Sequence, residues 1–125
     1  HPSVPRTWRL DTVDGLPADR EALVLKPLFS FAGGGIVFAP TDAELAAIPA
    51  ADRHLDLLQE KVRFAPVSET PHGPTQAEVR IMYVWTDRLR AVLPLIRMGR
   101  GQMMGVAHNR GLAWVGAAAG FSVAP

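Results

Sequence analysis

Apolar residues along this chain come in short runs, cut apart by proline, glycine and polar clusters, and the runs follow a strand period more often than a helical one. The clearest alternation is AEVRIMYVW, where Val79, Ile81, Tyr83 and Trp85 share one face and Glu78, Arg80, Met82 and Val84 the other. LVLKPL predicts a strand ending near Pro27, SFAGGG a loop, and GIVFAP a short return strand. The pair reads as a hairpin whose connection is longer than the tightest two-residue turns. In PTDAELAAIPAADRH, Thr41 and Glu44 have capping-box spacing and predict a short helix that Pro49 ends. LDLLQEKVRFAPV predicts one strand, and SETPHGPTQ a polar surface loop. LRAVLPLIRM is a further strand in which Pro94 predicts an edge or a bulge. GRGQMMG is a loop, and LAWVGAAAGFSV a final strand or a tightly packed turn region. Residues 1–21, with their prolines and DG, read as an irregular or extended lead-in. There is no internal repeat and no dividing linker. Residues 1–125 therefore read as one domain of the α+β class, mostly antiparallel strands with a few short helices.

Composition narrows the class. The chain has 125 residues, 48% hydrophobic and 20% charged, which is globular rather than disordered. A net charge of +1 gives no bulk pull toward nucleic acid or an anionic membrane. With no cysteine, disulfides and thiolate metal sites are excluded, which fits a reducing, cytoplasmic setting. The uncharged stretch Gly111 to Pro125 is too short and too rich in Gly and Ala to span a bilayer. The chain begins at His1 without an initiator Met or a visible signal peptide, so an upstream domain of a longer protein is expected.

Several residue sets could carry chemistry. Lys26 stands in an apolar strand that leads to Gly33, Gly34 and Gly35. Glycines let backbone N–H groups face a bound anion, and a neighbouring lysine adds positive charge. The same residues also describe a plain hairpin turn with a snorkelling lysine. The triplet is neither a Walker A loop nor G-x-G-x-x-G. Glu60 and Lys61 close an apolar strand, where free backbone groups could meet a purine edge or simply face water. Glu78 and Arg80 lie on the same strand face, as flanking ligand groups or as a surface ion pair. Arg97 ends an apolar strand, as a phosphate-binding arginine would, with Arg100 and Asn109 beyond it. Asn109 could offer an amide oxygen to a hard cation. His1, His54, His72 and His108 have no zinc spacing, and there is no nucleophile elbow.

The order of these segments, from about Val4 to Val123, resembles the C-terminal part of an ATP-grasp domain. LVLKPLFSFAGGGIVF is similar to the family's lysine strand, glycine-rich phosphate loop and return strand. LLQEKV is similar to its adenine-binding strand, AEVRIMYVW to the opening strand of the second subdomain, LIRM to the strand with a phosphate-contacting arginine, and VAHN to the metal-binding segment. The match is closest to bacterial members that read like LKPLFSFAG, LLQEK, EVR and N…WVG.

The resemblance implies an ATP-grasp-like fold and ATP-dependent ligation. ATP phosphorylates an unknown carboxylate substrate, a nucleophile displaces the phosphate, and Mg²⁺ bridges the ATP phosphates. It assigns Lys26, Gly33, Gly34 and Gly35 to the phosphates, and Glu60, Lys61 and Val62 to adenine. It assigns Arg97 to the transferring phosphoryl group, with Arg80 beside it, and Asn109 and Glu78 to metal. Ala107 stands where the family has a carboxylate, RMGRG offers no second one, and the family's other phosphate lysine would precede His1. The alternative is therefore a non-catalytic, ATP-grasp-like nucleotide-binding or assembly module with a degraded metal site. Nucleic-acid binding through Arg88, Arg90, Arg97, Arg100 and Arg110 is disfavoured by the near-zero charge and the lack of stacking aromatics. Met103, Met104 and AWVGAAAGF form the expected surface for self-association into a homo-oligomer.

Overall fold

The protein is described by a computed structural model over residues 4–121, so His1 and Val123 lie outside the described residues. The chain forms two compact units, His1–Arg63 and Phe64–Pro125, each built on its own four-stranded antiparallel sheet. The class is α+β, with few and short helices.

The first sheet has the order β1-β4-β2-β3. Its strands are β1 (Thr7–Arg9), β2 (Leu23–Pro27), β3 (Val37–Phe38) and β4 (Asp56–Glu60). Register pairs Leu25 with Leu58 and with Val37, placing these apolar side chains on one face. Leu10, Leu23, Leu25, Leu45 and Leu58 pack there as a buried core. Leu45 comes from helix α1 (Asp42–Ala47). The expected capping box is present: Glu44 N donates to Thr41 Oγ1 at 3.2 Å, and Thr41 N to Glu44 Oε2 at 2.8 Å. These bonds satisfy two of the donors that a helix N-terminus leaves open. They also hold the Glu44 carboxyl below its ordinary pKa, chiefly through the Thr41 backbone N–H.

The lead-in is more ordered than its prolines suggest. Thr7–Arg9 is a strand against β4, with Thr7 opposite Gln59. Beside it, Arg6 donates from its backbone N to Glu60 Oε2 at 3.0 Å and from Nε to Oε1 at 2.7 Å. The stretch expected as one strand, LDLLQEKVRFAPV, divides instead. Its first half is β4, and Pro66–Ser68 is β5 of the second sheet.

The second sheet is a meander, β5-β6-β7-β8. Strands β6 (Thr75–Trp85) and β7 (Leu89–Gly99) form a long hairpin, and β8 (Gly116–Ala119) pairs with the far half of β7. Register shifts by one residue between Met82 and Tyr83, leaving Val92 as the extra residue of a bulge. Pro94, two residues on, lies just past the segment paired with β8, and its carbonyl accepts from Gly120 N at 2.8 Å. A strand residue's N and C=O point to the same side, so the missing N–H falls where no partner strand needs it. The short helix α2 (Val106–Asn109) has no counterpart among the sequence expectations.

Candidate functional site

In the first unit, the sheet face opposite the leucine core carries the candidate lysine. Lys26 pairs with Leu57, and Gln59 with Val24, which makes Lys26 and Gln59 diagonal neighbours on one face. Lys26 Nζ donates to Gln59 Oε1, and Gln59 Nε2 donates to Thr7 Oγ1 at 2.8 Å. A polar chain thus crosses β2, β4 and β1. Phe38, opposite Val24, shares this face, and Lys61 Nζ stands 5.8 Å from its ring centroid. Lys26 and Lys61 are the only lysines in the sequence. Among the described residues every ion pair is made by an arginine, and neither lysine faces a carboxylate. An ammonium bonded to an amide oxygen keeps its charge and spare donors for an anion.

The glycine triplet builds its own turn. Gly33 and Gly35 have φ of 80° and 72°, and Ala32 is also left-handed at 53°. Gly34 N donates to Phe31 O at 2.9 Å. A Cβ on Gly35 would lie 2.8 Å from Pro27 Cγ, so the turn folds back onto the end of β2. Only Gly34 of the three combines an ordinary φ with room for a side chain, limited by Phe31 O at 3.2 Å.

The Glu60–Lys61–Val62 segment is largely committed to the fold. Glu60 N donates to Arg6 O at 2.9 Å and Lys61 N to Ala22 O at 2.8 Å. The side-chain bond from Arg6, followed by the bond from its backbone, pulls the Glu60 carboxyl below its ordinary pKa. Val62 lies past the end of β4 and is exposed.

In the second unit, Glu78 and Arg97 are cross-strand partners, and Arg97 Nη1 lies 3.8 Å from Glu78 Oε1. Arg80 also pairs with Glu78 through Nε. Arg97 Nη2 reaches the carbonyl of Met104, drawing the loop toward the sheet. Arg97, Asn109 and Arg110 help line a hollow of about 290 Å³ with Met104, Gly105 and Ala117. Asn109 is buried and bonded at both polar atoms of its side chain. Its Oδ1 accepts from Arg100 N at 3.0 Å and Gly101 N at 2.9 Å. Its Nδ2 donates to Met103 O at 2.8 Å and Gly105 O at 3.0 Å.

These donors do not fit a resident Mg²⁺. Both lone pairs of the Asn109 amide oxygen are taken, and Oε1 of Glu78 is bonded by Arg80 with Arg97 3.8 Å away. Among the described residues no three His, Cys, Asp or Glu side chains converge. His54 Nδ1 contacts Ala51 O at 2.7 Å, and the backbone carbonyl of His72 accepts from Arg100.

Sequence reasoning passed over Gln59, Arg6 and the structural use of Arg100. Gln59 stands inside LLQEKV, and its outward strand position opposite a lysine-bearing strand was the available signal. Arg100 donates to Ala113 O at 2.6 Å and to His72 O, joining two loops that no local pattern connects. Comparison with protein-family models, curated proteins and solved structures gives no match for this chain.

Proposed function

We propose that the chain is the ATP-binding part of an ATP-dependent carboxylate ligase of ATP-grasp type. One observation carries this reading: both lysines, a glutamine and an aromatic ring share one sheet face, and no carboxylate neutralises the lysines. That combination suits a nucleotide, whose phosphates need cations and whose base needs a flat apolar contact and an amide. Lys26 would hold phosphate oxygens, and the backbone around Gly34 would approach them closely. Lys61, Val62 and Phe38 would meet the base. Arg97, beside an open hollow in the second unit, is suited to a phosphoryl group, with Arg80 holding Glu78 aside.

The saturated amide of Asn109 favours a second reading, a nucleotide-binding module without ligase activity. Ala107 points the same way.

Isothermal titration of the full chain with a non-hydrolysable ATP analogue tests both. Binding that Lys26→Ala weakens at least about tenfold supports a nucleotide site; no binding, or binding indifferent to Lys26, refutes it. Affinity that Mg²⁺ raises, and that Ala107→Asp raises further, supports the ligase. Affinity that ignores Mg²⁺ in both proteins supports the module.

A further inference from the structure

The long hairpin of the second unit segregates charge by face. One face carries Glu78, Arg80, Arg90 and Arg97. The other carries Val79, Ile81, Tyr83 and Trp85 on β6, with Ile96, Pro94, Ala91 and Leu89 opposite them on β7, and Ala118 beyond on β8. No side chain in that second set is an acid or a base of the Asp, Glu, Lys, Arg or His type. A core face of this composition is ordinarily covered, yet Val79 is 66%, Tyr83 57% and Trp85 73% exposed. A hollow of about 430 Å³ lies on this face between Val79, Ile81, Val92, Pro94, Ile96 and Phe121.

We propose that this face is a dimer interface between two copies of the chain. Area supports a second copy as the occupant. A large aromatic side chain buries roughly 150–250 Å². At their observed exposures, Tyr83, Trp85 and Phe121 alone then offer on the order of 400 Å². The exposed parts of Val79, Ile81, Leu89 and Val92 bring the patch close to the roughly 800 Å² per partner of a standard-size interface. Charge supports it too. A neutral apolar face can meet itself across a two-fold axis without burying an unpaired charge, whereas a charged partner finds no counter-charge there. Two such faces stack as aligned sheets roughly 10 Å apart, with Trp85 and Tyr83 as anchors and the Val92 bulge setting the local twist. The Glu78–Arg97 face lies on the other side of the sheet and takes no part in this interface.

Sedimentation velocity across a range of concentrations, with the full chain, tests this. A reversible dimer is expected. Val79→Glu and, separately, Trp85→Arg should each raise its dissociation constant by more than about 30-fold, as at an interface hot spot. Both positions are exposed in the single chain, so circular dichroism should show each variant folded. A Trp8→Phe, Trp114→Phe protein keeps Trp85 as its sole tryptophan. Its emission should shift to the blue, and resist acrylamide quenching, only as the dimer forms. A monomer at every concentration overturns the proposal. So does a dimer indifferent to both substitutions, a dimer whose Trp85 stays fully quenchable, or a Trp85 shift seen only on adding neutral phosphatidylcholine vesicles.

Discussion

Asn109→Ala separates a loop clamp from a metal ligand. The substitution strands the N–H groups of Arg100 and Gly101 and the carbonyls of Met103 and Gly105. A net hydrogen bond contributes about 1 kcal/mol, and partial hydration of the freed groups recovers some of that, so the expected loss is about 2–4 kcal/mol. Asn109→Asp keeps an acceptor for the two N–H groups but turns oxygen toward two carbonyls, so it should lose about half as much or more. The readout is urea unfolding of a Trp8→Phe background, in which Trp85 and Trp114 both report on the second unit. With a slope near 1 kcal/mol per molar urea for so small a unit, the alanine variant should move the midpoint by roughly 2 M or abolish the transition. Mg²⁺ should not move the wild-type midpoint. An alanine variant within about 0.5 kcal/mol of wild type, together with a wild-type midpoint raised by Mg²⁺, would refute the clamp and restore Asn109 as a cation ligand.

Three further outcomes are expected. Gly35→Ala should lower stability of the first unit by at least about 1 kcal/mol, because φ is +72° and Pro27 blocks the new methyl, while Gly34→Ala should cost much less. If the turn also cradles phosphate, Gly34→Ala will weaken binding of the ATP analogue out of proportion to its small stability loss in thermal melts. The Glu60 carboxyl has a folded pKa below its unfolded value near 4.5, so its contribution is complete above that value and fades as pH falls through the folded one. The melting-temperature gap between wild type and Glu60→Gln should be constant above about pH 5 and close in more acidic buffer. Asp56 is shifted the other way, by desolvation first and by the Asp52 charge second, so its ionisation opposes folding at neutral pH. Asp56→Asn should then raise the melting temperature at pH 7 and leave it unchanged near pH 3; a drop at pH 7 would show that the carboxylate has a stabilising partner.

What could be read from the sequence was what its own neighbours decide. The Thr41–Glu44 box, the stop at Pro49 and the hairpin from Leu25 to Val37 depend on residues close along the chain, and all three are present. The disturbance expected near Pro94 is there as the Val92 bulge. The elements that escaped depend on distant partners. Thr7–Arg9 has strand-like residues but becomes a strand only because Gln59 and Leu58 stand beside it and Arg6 finds Glu60. The break after Glu60 has no glycine to announce it. There Lys61 N turns to Ala22 O, and the chain passes to another sheet. Helix α2 is a single turn whose Asn109 is engaged by the loop before it, a bond pattern with no period to detect.

The same distinction separates residue types from residue roles at the candidate site. Asn109, Glu60 and Glu78 were singled out for what an amide or a carboxylate can do in isolation. In the fold, the Asn109 amide is engaged by the loop backbone, both Glu60 oxygens by Arg6, and Oε1 of Glu78 by Arg80 with Arg97 3.8 Å away. A ligand competing for them must first replace bonds already made, at the full cost of desolvating the partner left behind. Lys26 differs. Its partner Gln59 is neutral, so an arriving phosphate gains a charge-assisted bond and gives up only an amide contact. The exchange is favourable for an anion at Lys26 and unfavourable for a cation at Asn109. The nucleotide binding proposed at the lysine face therefore needs no cation at Asn109: in titrations with the ATP analogue, Lys26→Ala should weaken binding, whereas Asn109→Ala should reveal no Mg²⁺ dependence.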